Sequence, residues 1–256
     1  NSWPTTIAVH QPGHHWWRLY GETRPEIFAL RNDGSRNPSM YCYGDPQTLE
    51  TFLENIALYN DQPEDQRDDQ RWRRQQGELR KKISFIKGDA ITVSPPDLGV
   101  HCTCEDCTPL LEPDHPSRFA VASDLMADFV VRLASAVEER WPDMTIIYLP
   151  YINYTLAPDG YTFPDNVEVQ LCGMPGVAMY KEPEVREKFQ SNIDQWAKLT
   201  GGMVQTWDYS CWPTDRTKAP FQYPHVLRDY YRQNREQLIG TFINGTIRTD
   251  EWVSQH

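Results

Sequence analysis

The chain has 256 residues, enough for one large domain or two small ones, and 39% of them are hydrophobic. Its net charge of −11 denies it the cationic footprint that nucleic acid or an anionic membrane surface requires, so neither is expected as a partner. No apolar run approaches the ~20 residues of a membrane span. Nine Trp and thirteen Tyr supply aromatic surface of the kind that stacks on flat, weakly polar ligands, sugars among them.

Ile7-Ala8-Val9-His10 is a short strand candidate ended by Gln11-Pro12-Gly13. His14 and His15 then sit where a strand hands over to a loop, and adjacent side chains cannot both face one pocket. Each is a candidate ligand contact set against an ordinary solvated loop histidine. Residues 25–30 read as a strand leading into the turn Asn32-Asp33-Gly34. Met40-Tyr41-Cys42-Tyr43 is the next strand. Asp45 and Pro46 then have the chemistry of an N-cap and a first helical residue. The helix they open carries Leu49, Phe52, Leu53 and Ile56 on one face. Residues 61–82 alternate acids with bases and read as a solvated helix or surface insertion.

The β-branched run from Ile83 to Val93 stops at Ser94-Pro95-Pro96-Asp97. Two prolines cannot donate to a central ladder, so the strand ends there and releases Asp97 at its carboxyl end. Asp97 is either a catalytic carboxylate or the cap of the following turn. Cys102-x-Cys104-x-x-Cys107 follows at once. The spacing admits a short-loop disulfide, free thiols, or three ligands of a metal with His101 or Cys172 as the fourth. No cofactor is expected for the reaction itself.

Residues 117–141 form the strongest helix pattern, stopped by Pro142-Asp143. Residues 144–149 are a β-branched strand that releases Tyr151 and Tyr154, and residues 166–172 are another. A helix from Glu184 closes at Gly201-Gly202. Residues 203–209 form a strand ending in Trp207-Asp208-Tyr209, residues 224–238 a helix, and residues 239–244 a last strand reaching Asn244. Short apolar strands alternating with helices predict an α/β fold with a parallel sheet. Roughly seven strand candidates over one domain, residues 1–256, suit a (β/α) barrel of the TIM type, incomplete or cropped in this chain. The chain reads as a mature fragment or excised domain, because it starts without Met. No Gly-x-Gly-x-x-Gly or phosphate loop argues for a nucleotide.

In a barrel the carboxyl ends of the strands share one face. That face would collect His14, His15, Tyr43, Asp45, Asp97, Tyr151, Tyr154, Trp207, Asp208, Tyr209 and Asn244. Carboxylates among aromatics, without a Gly-x-Ser-x-Gly elbow or an HExxH helix, suit sugar chemistry, with an oligosaccharide or glycan as the partner molecule. The histidines are scattered, so a metal-dependent hydrolase is the weakest option.

Several segments together resemble one known family. They are Gly13-His14 near a Pro-Glu-x-Phe-Ala-Leu segment, Ser94-Pro95-Pro96-Asp97 before Cys-x-Cys-x-x-Cys, the long helix closing on Trp141-Pro142-Asp143, and Trp207-Asp208-Tyr209. The family is the bacterial domain-of-unknown-function 4838 family, which overlaps glycoside hydrolase family 163, endo-β-N-acetylglucosaminidases acting on N-glycans. The resemblance implies a TIM-type barrel in a secreted or periplasmic protein. It also implies cleavage assisted by the substrate's own 2-acetamido group, the exception to the two-carboxylate scheme. On that reading Asp97 and Asp208 are the catalytic candidates, and Tyr151, Tyr154, Trp207 and Tyr209 shape the sugar subsite. The family pattern carries a Glu on the last strand, in a Gly-x-Phe-x-Glu arrangement, where this chain has Asn244. Asn cannot act as a general acid, so Asp208 or Glu251 would take that part, or the domain binds sugar without cleaving it. An exo-acting uronidase-like hydrolase is a further reading, although the rim offers no Arg or Lys for a uronate. Oligomeric state is not legible.

Overall fold

The computed structural model describes residues 13–67, 77–174, 181–202, 204–211 and 224–245. Two strands, β1 (Phe28–Leu30) and β2 (Arg36–Tyr41), pair antiparallel in a sheet of their own. The other six are β3 (Ile86–Lys87), β4 (Ala90–Val93), β5 (Thr145–Tyr148), β6 (Val167–Met174), β7 (Val204–Cys211) and β8 (Leu238–Gly245). They form a sheet in strict chain order, β3 to β8. Pairing is antiparallel between β3 and β4, and parallel for β4 with β5, β6 with β7, and β7 with β8. The α/β class and its parallel-dominated sheet are thus observed. The order begins at β3 and ends at β8, so among the described residues the sheet is not closed into a barrel.

The α-helices among the described residues are α1 (Gly13–Tyr20), α2 (Pro46–Asn60), α3 (Glu64–Arg67), α4 (Glu78–Lys82), α5 (Ser123–Arg140), α6 (Pro183–Leu199) and α7 (Pro224–Gln233). The chain divides into two compact units, Pro4–Glu168 and Val169–His256.

The core of the Pro4–Glu168 unit is aromatic. Trp16 of α1 packs its ring on Tyr20, Tyr41, Phe52 and Phe85, with centroids 4.8–5.8 Å apart. Phe52 of α2 meets Phe129 of α5 at 5.2 Å. Tilted and edge-on rings of this kind add to the apolar area they bury. The expected cap of α2 is present: the Asp45 carboxylate accepts from the Gln47 N–H at 2.8 Å, with Pro46 in the first turn.

Three expectations are corrected in this unit. His14-His15-Trp16-Trp17 is the first half of α1, not a strand-to-loop junction, because Trp16 draws the segment into the core. The run 83–93 is a hairpin turned at Gly88, whose φ of 60° is a conformation glycine adopts without a Cβ penalty. Helix α5 begins at Ser123 rather than residue 117. The preceding backbone is engaged elsewhere, Phe119 O accepting from the Thr155 and Leu156 N–H groups. The strand candidate at residues 7–10 lies outside the described residues.

In the Val169–His256 unit, α6 closes as expected at Gly201 and Gly202, with φ of 63° and 93°. Helix α7 stops at Gln233, short of the predicted residue 238. Buried Asn234 explains the stop: its amide donates to Tyr230 O at 2.9 Å and exchanges hydrogen bonds with Gln190 of α6. A side chain that bonds the backbone in this way competes with the next helical turn.

Candidate functional site

Parallel pairing of β4 with β5 puts the loops after Val93 and Tyr148 on the same edge, because Val93 is in register with Tyr148. Strand β4 is buried along its whole length, Ser94 and Pro95 remain buried, and the chain then surfaces so that Asp97 is exposed. Asn153 joins the two loops: its Oδ1 accepts from the Val100 N–H and its Nδ2 donates to Val100 O, both at 2.8 Å. Gly99 lies directly against that amide, where a Cβ would stand 3.4 Å from it.

Between Tyr151 and Asn153 sits Ile152 with φ of 48°, a left-handed conformation that a β-branched residue strongly disfavours. Such residues cost about 1–3 kcal/mol and collect at ligand clamps and active sites. Tyr151 is half-buried at this edge. Tyr154 is not: it is fully buried and stacked on Tyr148, with centroids 6.4 Å apart.

Tyr43 is also a core residue, fully buried with its ring 5.0 Å from Phe129. It follows β2, which belongs to the antiparallel pair, so it cannot lie at a parallel-strand rim as the sequence suggested. His15 is half-buried on α1, and the His14 side chain lies outside the described residues.

The cysteines gather in a way local spacing could not reveal. Cys42, just after β2, joins Cys102, Cys104 and Cys107, and all four sulfurs lie within 4.8 Å of one another. His101 is exposed and Cys172 is elsewhere, so neither expected fourth member takes part. The thiols are free. Two backbone donors point at sulfur, Leu30 N–H to Cys102 at 3.2 Å and Gly44 N–H to Cys107 at 3.3 Å. The Cys102 thiol is pushed far down by hydrogen bonds from Cys107 and Cys42. Cys42 is pushed up, chiefly by its bonds to Cys102 and Cys107.

In the Val169–His256 unit, alternation along β7 sends Thr206 and Asp208 to one face and Gln205 and Trp207 to the other. Asp208 is fully buried. Its Oδ2 accepts from the hydroxyls of Tyr231 and Thr241 at 2.7 Å and of Thr206 at 3.1 Å, while Oδ1 has no partner among the described residues. Burial raises the Asp208 pKa, and the three hydroxyls only partly oppose it. It is a carboxyl wedged beneath α7 with hydroxyls around it, and no Arg or Lys pairs with it in any described salt bridge.

On the opposite face, Gln170 of β6 donates to Gln205 of β7 at 3.2 Å, both buried, and Trp207 packs edge-on against Phe242 at 4.5 Å. The sequence reading does not single out this amide pair, although polar residues alternate with apolar ones in Val-Glu-Val-Gln-Leu and Gln205 is a polar residue inside a strand pattern. The side chains of Tyr209 and Asn244, and the whole of Glu251, lie outside the described residues. A cleft of about 680 Å³ also opens between α6 and α7, lined by Arg186, Asp194, His225 and Tyr230 among others. None of these was selected from sequence.

A family model described as a domain of unknown function (DUF4838) matches residues 78–251. No curated protein and no solved structure matches.

Proposed function

We propose, for a chain that belongs to the DUF4838 family of domains of unknown function, that it acts on glycans containing β-linked N-acetylhexosamine. The chemistry is that of a retaining glycoside hydrolase in a secreted or periplasmic protein. The observation that carries the reading is the β4–β5 edge: an exposed carboxylate, Asp97, on a loop clipped by Asn153 to a segment holding Ile152 in a strained conformation beside Tyr151. Strain of this kind is retained where a site needs fixed geometry. In a substrate-assisted reaction the acetamido oxygen bonds to the anomeric carbon as the glycosidic C–O bond breaks. The leaving oxygen takes a proton from an acid, the part that falls to Glu251 once Asp208 is set aside. A carboxylate such as Asp97 would orient the amide N–H. We take the chain-ordered sheet as part of a (β/α) barrel, and Asp208 as a framework acid, since it is sealed beneath α7.

A second reading, glycan binding without cleavage, is favoured by that same burial of Asp208 together with Asn244 in the place of a glutamate. Neither supplies an accessible proton donor.

Turnover of an aryl N-acetylglucosaminide and of an N-glycan by wild type, Asp97→Ala and Asp208→Asn separates the readings. Hydrolysis should fall by about two orders of magnitude or more in Asp97→Ala and persist in Asp208→Asn. Wild type that binds the glycan without turnover establishes the second reading. Wild type that neither binds nor cleaves sinks both.

A further inference from the structure

We propose that Cys42, Cys102, Cys104 and Cys107 bind one structural zinc ion. The inference is independent of the glycan reading and rests on the sulfur geometry. The sulfur separations are 3.4 Å for Cys42–Cys104, 3.6 Å for Cys42–Cys107, 3.7 Å for Cys42–Cys102 and 3.4 Å for Cys102–Cys104. A tetrahedral zinc with bonds of about 2.3 Å sets its sulfurs about 3.8 Å apart, so the four already outline such a site. A cubane iron–sulfur cluster would need them much farther apart.

Three of the four are buried and Cys104 is half-buried. Once ionised, four sulfurs packed this closely in a low-dielectric pocket need a cation between them. Zinc replaces the thiol protons, which leave to solvent, and balances the thiolates that form. Closure by four protein ligands leaves no position for water or substrate, which marks a structural rather than a catalytic ion.

The surroundings fit the same function. The N–H groups of Leu30 and Gly44 aim at Cys102 and Cys107, the outer-shell donors that orient and stabilise metal-bound thiolates. Gly44 is needed for this approach, since a Cβ there would stand 2.8 Å from the Asp106 carbonyl carbon and 2.9 Å from the Cys107 nitrogen. The ion would therefore fasten the end of β2 to the loop that follows Asp97. The ligands come from both sides of a 60-residue separation, which confers more chain constraint than a local clip would.

The test is elemental analysis of the full chain purified without chelator from zinc-supplied cells. About one zinc per chain is expected, and an organomercurial should release it as four thiols react. Cobalt(II) loaded in its place should give the intense sulfur-to-metal charge transfer and visible bands of a tetrahedral tetrathiolate. Cys104→Ser removes a ligand at the most accessible corner. Gly44→Ala forces the backbone at Gly44 and Cys107 apart, disturbing the outer-shell approach, and should weaken zinc by about tenfold or more in a chelator competition. Folded wild-type protein without stoichiometric zinc overturns the site, as does a disulfide among the four found by mass spectrometry. Stoichiometric iron overturns the assignment to zinc.

Discussion

At the residue scale, Asp208 makes the sharpest claim. Burial raises the pKa of its carboxyl, whose one oxygen sits under three hydroxyls while the other has no partner among the described residues. A carboxyl with a raised folded pKa binds its proton more tightly folded than unfolded. Its favourable contribution is therefore complete below the unfolded pKa of about 3.9 and is lost as pH rises through the folded value. Asp208→Asn, neutral at every pH, should be more stable than wild type at pH near 7.5 by about 1 kcal/mol. The difference should shrink toward zero near pH 4, read from urea midpoints at the two pH values. An unchanged difference across that range would show that the acid is ionised in the folded protein. From sequence, Trp-Asp-Tyr at a strand end placed the aspartate near chemistry. Period-two alternation could have warned that Asp208 and Trp207 look in opposite directions. It could not show that α7 covers the aspartate's side, because that depends on packing.

At the scale of elements, the loops after β4 and β5 act as one piece through a single amide. Asn153→Ala removes both hydrogen bonds to Val100 and should cost about 1–3 kcal/mol. Hydrogen exchange at the Val100 amide should quicken with it. If exchange there stays at the wild-type rate, the clip is not what orders the Asp97 loop. Helix α2 offers a milder case, in which Asp45→Ala should cost about 1 kcal/mol in thermal or urea unfolding by freeing the Gln47 N–H. These two differ in how far sequence revealed them. Asp45-Pro46 is a local signal and was read correctly, as were the strands from β5 to β8 and the glycine stop of α6. The β3–β4 hairpin and the true start of α5 were misread, since a turn glycine and a distant loop outweighed the apolar periodicity. Asn153 carries no local signal of its role, since nothing nearby in sequence connects it to Val100.

At the scale of the molecule, the cysteine cluster decides how the Pro4–Glu168 unit is held. Chelation of the native protein should lower its melting temperature by several degrees, a loss of about 2–4 kcal/mol. Exchange should rise first in the β1–β2 hairpin and in residues 97–108. Uniform loosening would argue against a localised brace. The cluster also bears on compartment, because an oxidising environment converts free neighbouring thiols to disulfides unless a metal occupies them. Three of its members stood out in the sequence as Cys-x-Cys-x-x-Cys, whereas Cys42 became a member only through the fold.

The amide that joins the two loops has one more implication, for production. Asn153-Tyr154-Thr155 is an acceptor tripeptide for oligosaccharyltransferase, which modifies the side-chain nitrogen of chains that have not yet folded. That nitrogen is the one donating to Val100. Material made in a eukaryotic secretion host would risk a bulky oligosaccharide wedged at this seam, whereas a bacterial host without the transferase leaves the latch intact.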